Sequence, residues 1–155
     1  MGDVLVKRQQ DGDSAKIETH YTRSLDVRET LLKANPGSAE ATRDVSISLN
    51  KLGNFLATRG QPGDADKALG YFTRSLELSV TLLKANPASA EATCDVCVSH
   101  FKMAAFEAGR KNPNAATKHR RAIYDLLDPA ITGGMTFDPP IVELYNTLKT
   151  EFGGK

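Results

Sequence analysis

The chain repeats itself. Residues 22–62 align without gaps on residues 73–113, an offset of 51, with 24 identities in 41 positions. Two copies of one unit within 155 residues leave room for little besides a short repeat array. Such units do not bury their apolar faces alone, and each is completed by stacking on the next. Within each copy the apolar pattern is helical. Ala65, Leu69, Phe72, Leu76, Val80 and Leu83 step by four, three, four, four and three, which marks one face of an α-helix. Val45, Leu49, Leu52 and Leu56 do the same in the preceding segment. No stretch alternates apolar and polar residues with β-branched enrichment, so the expected class is all-α.

Helix ends are legible from turn chemistry. Asn35-Pro36-Gly37-Ser38 and Asn86-Pro87-Ala88-Ser89 each stop one helix and supply a serine N-cap for the next. Gly60-Gln61-Pro62-Gly63-Asp64 stops another, with Asp64 as the candidate cap. Asn112-Pro113 sets a cap before a proline at the first helical position, and Asp138-Pro139 opens the last helix after the Thr132-Gly133-Gly134-Met135 loop. The resulting expectation is helices near 3–10, 14–34, 38–60, 64–85, 89–110, 114–128 and 138–152. The short connections make neighbouring helices antiparallel.

In this order the residues resemble the tetratricopeptide repeat. Leu52-Gly53 matches that family's Leu-Gly pair in helix A, Gly60 its turn glycine, Ala68-Leu69 with Phe72 and Leu76 its helix B, and Pro87 its closing proline. The period departs from the family's 34 residues. Three of the 17 extra residues fall in the turn before Ala68, seven at the end of helix B and seven at the start of helix A. Seven residues are nearly two turns, so each insertion rotates the apolar face by only about 20°. The resemblance implies a right-handed α-α superhelix of antiparallel hairpins over residues 1–129, with residues 130–155 a loop and a C-terminal capping helix. Projecting the offset backwards places Gly53 on Gly2, so residues 3–10 read as the second half of a truncated first helix A.

What the resemblance implies about function is a concave face lined by helices A. On this chain those positions are Ile47, Asn50, Asn54 and Thr58, then Val98, Phe101, Ala105 and Ala108. Asn54 stands where carboxylate-clamping relatives use an asparagine, but Asn50, Phe101 and Ala105 replace the flanking cations, which argues against an acidic C-terminal tail as ligand. The pair of asparagines and Phe101 suit hydrogen bonding to a peptide backbone beside an apolar contact. The expected role is therefore a protein–protein interaction module, a scaffold or sensor segment that takes a peptide or partner domain. The alternative is a self-associating array, a fragment of a larger signalling or effector protein, whose open N-terminal end around Val4, Leu5 and Val6 is covered by a second copy.

Other function classes find little support. Twenty basic and nineteen acidic side chains leave a charge of +1, which argues against a dedicated nucleic-acid or membrane-surface protein. Arg110, Lys111, Lys118, His119, Arg120 and Arg121 form a local basic cluster, read as a solvated helix face beside Asp125 and Asp128. Cys94-Asp95-Val96-Cys97 with His100 offers three metal-ligand types on one helix, short of the four that structural zinc takes. The sister repeat carries Arg43, Ser46 and Leu49 there, so neither a metal nor any other cofactor is expected. His20, His100 and His119 are scattered, and no phosphate loop or nucleophile motif occurs, so no enzyme is expected. Without a signal peptide or an apolar run of spanning length, the expected location is cytoplasmic, without membrane contact.

Overall fold

A computed structural model of the chain describes the backbone of residues 2–154 and the side chains of residues 12–154. The chain is all-α. Among the described residues it forms α1 (Gly2–Ala34), α2 (Ala39–Arg59), α3 (Asp64–Ala85), α4 (Ala90–Gly109), α5 (Pro113–Thr132) and α6 (Pro139–Phe152), with no strand. The serine caps act as the turn chemistry requires. Ser38 Oγ accepts from the Ala41 N–H at 3.0 Å and Ser89 Oγ from the Ala92 N–H at 3.1 Å. Gly60 ends α2 at φ 65°, a left-handed conformation that glycine adopts without a Cβ penalty. No helix among the described residues is long and apolar enough to cross a membrane.

Two boundaries and one cap differ from expectation. The break at Asp11-Gly12-Asp13 is absent and α1 runs through it, so residues 3–10 do not form a separate half-helix A. A lone glycine costs a helix interior about 1 kcal/mol, and without a proline there propagation carries across it. The side chains of Val4, Leu5 and Val6, to which the open end was assigned, lie outside the described residues. Helix α5 continues past Pro129 to Thr132. A proline removes one backbone donor, and the final turn is closed instead by Thr132 Oγ1 to the Asp128 carbonyl at 2.7 Å and Gly133 N–H to the Pro129 carbonyl at 2.9 Å. Asp64 begins α3, but its carboxylate turns back towards α2.

Two compact units, Met1–Ser75 and Leu76–Lys155, divide α3 between them. In the first, Leu25, Val45, Leu49, Leu52, Leu56, Ala68 and Phe72 are buried. The approach of α3 to α2 depends on Gly53, because a Cβ there would stand 2.9 Å from the Phe72 ring. Beside that contact, the Ser46 and Ser75 hydroxyls share a buried hydrogen bond of 2.7 Å. Arg59 ties all three helices together. Its Nε and Nη2 donate to Asp64 at 2.8 and 2.6 Å, and its Nη1 donates to Glu18 at 2.6 Å. The Arg59 hydrogen bonds hold the Asp64 carboxyl below the usual range against the opposing effect of its burial.

The second unit reuses the scheme with different side chains. Cys97, Ile123, Leu127, Tyr145 and Leu148 form its core, and Leu126 packs against them. Position by position, Cys97 stands for Ser46 and Leu126 for Ser75, so an apolar pair replaces the serine hydrogen bond. Ala104 and Ile123 stand for Gly53 and Phe72, a smaller ring-free side chain making room for a Cβ. The Tyr145 hydroxyl donates to Asp128 at 2.8 Å and anchors α6 on α5.

Candidate partner-binding surfaces

The eight residues assigned from the sequence divide between the two units. On α2, Ile47, Asn54 and Thr58 are exposed. Asn50 is not: it retains 8% of its surface, and its Oδ1 is buried without a hydrogen-bond partner. Its exposure is corrected. Asn50 lies one turn from both Ser46 and Gly53, the α2 residues that meet α3, so helical phase carries it into that contact. The matching Phe101 on α4 is larger and remains 54% exposed. Val98, Ala105 and Ala108 are exposed with it.

In the second unit this surface becomes concave. Phe101, Ala105 and Ala108 of α4 face a groove of about 770 Å³ that is floored by Ile123 of α5 and completed by Leu144 and Leu148 of α6. Its lining is mostly apolar, and its size is that of a ligand cleft. The part played by α6 was missed in the sequence, which marked that helix only as a cap. The one available signal was the apolar spacing of Leu144 and Leu148, which also fits a helix resting on a core.

Cys94, Cys97 and His100 do not converge. Among the described residues no group of three potential metal ligands is brought together. Both cysteines are free; burial, chiefly, pushes the Cys97 thiol up to about 12 and raises Cys94 as well, so neither is an activated thiolate at neutral pH. His100 instead meets His119, Nδ1 to Nδ1, at 2.9 Å. Their counterparts Leu49 and Ala68 are both buried, so the second unit exchanges an apolar contact for a hydrogen bond between neutral rings. One ring donates and the other accepts, which requires the accepting ring to be uncharged. Burial supplies that condition first, then the neighbouring ring: His100 is pushed down to about 4. Burial likewise lowers His119, against the pull of Glu107. Comparing the repeats position by position was the signal for this pair, since both histidines replace apolar core residues.

The basic cluster is largely engaged. Arg121 pairs with Asp125 at 3.0 Å, Arg120 pairs with Glu151, and Arg110 lies over the Phe106 ring at 5.3 Å. Asp128, expected to neutralise the cluster, accepts from Tyr145 instead.

No family model matches the chain, and no solved structure matches it. The chain is similar to Protein NCA1 of Arabidopsis thaliana, 31% identical over 106 residues. That stretch covers 68% of this chain and 25% of NCA1, so the chain spans about a quarter of the length of this curated relative.

Proposed function

We propose that the chain is a protein–protein interaction segment of tetratricopeptide-like hairpins. It serves as a scaffold or sensor element in the cytoplasm and takes a peptide or partner domain on the outward faces of its helices A. The observation that carries this reading is Phe101, a large aromatic left 54% exposed over an apolar groove. Burying such a side chain against a partner removes apolar surface from water, and aromatic anchors dominate interface energetics. Internal duplication supports it further, because stacked repeats present extended binding surfaces. The test is selection of a displayed random-peptide library on the full chain, followed by affinity measurement on Phe101→Ala and Asn54→Ala. Both side chains are exposed, so both variants keep the wild-type Tm. The expected loss for Phe101→Ala is roughly tenfold or more. Enriched peptides that bind both variants as well as wild type would remove these surfaces from the assignment, and a library that yields no binder would remove the interaction reading.

A second reading, self-association, is favoured by a separate observation. Ile17, Val27 and Leu31 of α1 are exposed apolar residues on one helix of the first unit. A two-fold pairing of that helix with its copy would cover them.

A further inference from the structure

Lys111 stands in a backbone conformation that does not suit it. Its φ is 61°, and apart from glycines it is the residue with positive φ among those described. The matching position of the first repeat is Gly60, at φ 65°. The fold therefore asks for a left-handed residue after helix A, and the second repeat answers with a lysine, whose Cβ makes that conformation unfavourable. The Lys111 N–H to the Ala108 carbonyl at 3.0 Å and the Asn112 N–H to the Glu107 carbonyl at 2.9 Å hold it there, and strain held in this way clusters at functional sites. Lys111 lines the α4–α5–α6 groove. Among the described residues no carboxylate lies within ion-pair distance of it.

A second cation shares the groove. Arg120 is held through Nη2 by Glu151, while its Nε is buried with no hydrogen-bond partner. A buried guanidinium N–H left unpaired costs free energy, while the rest of the Arg120 side chain stays accessible. Glu151 is the acid in the lining and is already engaged by Arg120, so the free charge at the groove is positive. Phe101, Ala105, Leu144 and Leu148 belong to the apolar part of the same lining.

We infer that the groove of the second unit is built for an acidic, amphipathic peptide segment of a partner protein. An apolar side chain of that segment packs on Phe101, Ala105 and Leu148, and a nearby Asp or Glu side chain of it reaches Lys111 and the accessible side of the Arg120 guanidinium. This rests on the interaction reading above and adds the chemistry of the partner to it. It differs from capture of a C-terminal carboxylate, since the cations stand at the α4–α5 turn and on α5, away from the helix-A positions that such a clamp uses.

The lysine's strain makes the test separable from folding. Lys111→Gly relieves the left-handed strain and is expected to raise Tm by a few degrees. At the same time it lowers affinity for the selected peptides about tenfold, the scale of a charge-assisted hydrogen bond lost in a partly desolvated site. Lys111→Met keeps the backbone conformation and removes only the charge, so its Tm stays near wild type while affinity falls equally. Peptides enriched from the random library should carry Asp or Glu within one helical turn of a Leu, Ile, Met or Phe, and should bind more weakly as salt rises. Neutral or basic consensus peptides, or peptides bound equally by wild type, Lys111→Gly and Lys111→Met, would overturn the inference; Phe101→Ala weakening those same peptides would leave the broader reading standing. Absence of any enriched peptide would remove both.

Discussion

At the scale of single residues, the two histidines carry the most direct consequence for solution behaviour. His100 is held at about 4 in the folded chain, against 6.5 when unperturbed. The unfolded chain therefore binds more protons between those values, and stability increases with pH across that window. The contribution is complete above about pH 6.5 and is lost as pH falls towards 4. Lys118 adds to the same tendency by disfavouring a charged His119, and Glu107 opposes it. The double variant His100→Leu with His119→Ala restores the pair found in the first repeat, and its Tm should fall less than that of wild type between pH 7 and pH 5. Equal slopes in thermal melts would show that the pair is solvated in both states. Periodicity marked both positions as helical, but the contact between them needed the crossing of α4 and α5 to exist.

Between elements, the pairing of residues across a crossing matters more than either residue alone. Gly53 faces Phe72 in the first unit, while Ala104 and Ile123 occupy the matching places in the second. Gly53→Ala should cost roughly 1–3 kcal/mol, because the Phe72 ring must move to admit the methyl group. Phe72→Ile alone leaves a void and should cost roughly 1–2 kcal/mol. Together they recreate the second unit's pair, so their combined cost in urea denaturation should fall below the sum by about 1 kcal/mol or more. Simple additivity would mean that the crossing relaxes without Phe72. Most helix ends around these crossings were legible, since Ser38, Ser89 and Gly60 act on groups within a few residues. The expected gap at residues 11–13 and the expected end at residue 128 are absent, because Gly12 and Pro129 each weaken a helix by less than the rest of the helix supplies.

For the whole molecule, the open question is whether α1 meets another copy. Ile17, Val27 and Leu31 lie exposed there, while the matching residues of Val27 and Leu31 in α3, Leu78 and Leu82, are half-buried. A repeat whose copy is covered and whose own face is bare has the pattern of an unpaired end. Light scattering over a concentration series should therefore show a mass rising from one chain towards two, and Leu31→Glu should hold it at one. A mass of one chain at every concentration would withdraw self-association and leave the peptide surfaces as the sites of interaction.

The sequence by itself determined the class and the rhythm. Duplication, 3.6-residue periodicity and capping are local or self-referential signals, and they determined the helical class, the serine caps and the buried phase of Phe72 without any knowledge of neighbours, although they divided α1 in two. Tertiary structure decided what each outward-pointing position faces. Asn50 and Phe101 share one place in the repeat, yet one is buried beside α3 and the other stands over a groove. The joining of α6 to that groove, the meeting of His100 with His119, and the strained Lys111 at its edge depend likewise on the distance between helices. That distance is set by pairs of side chains far apart in the chain, such as Gly53 and Phe72, and no single stretch of sequence encodes it.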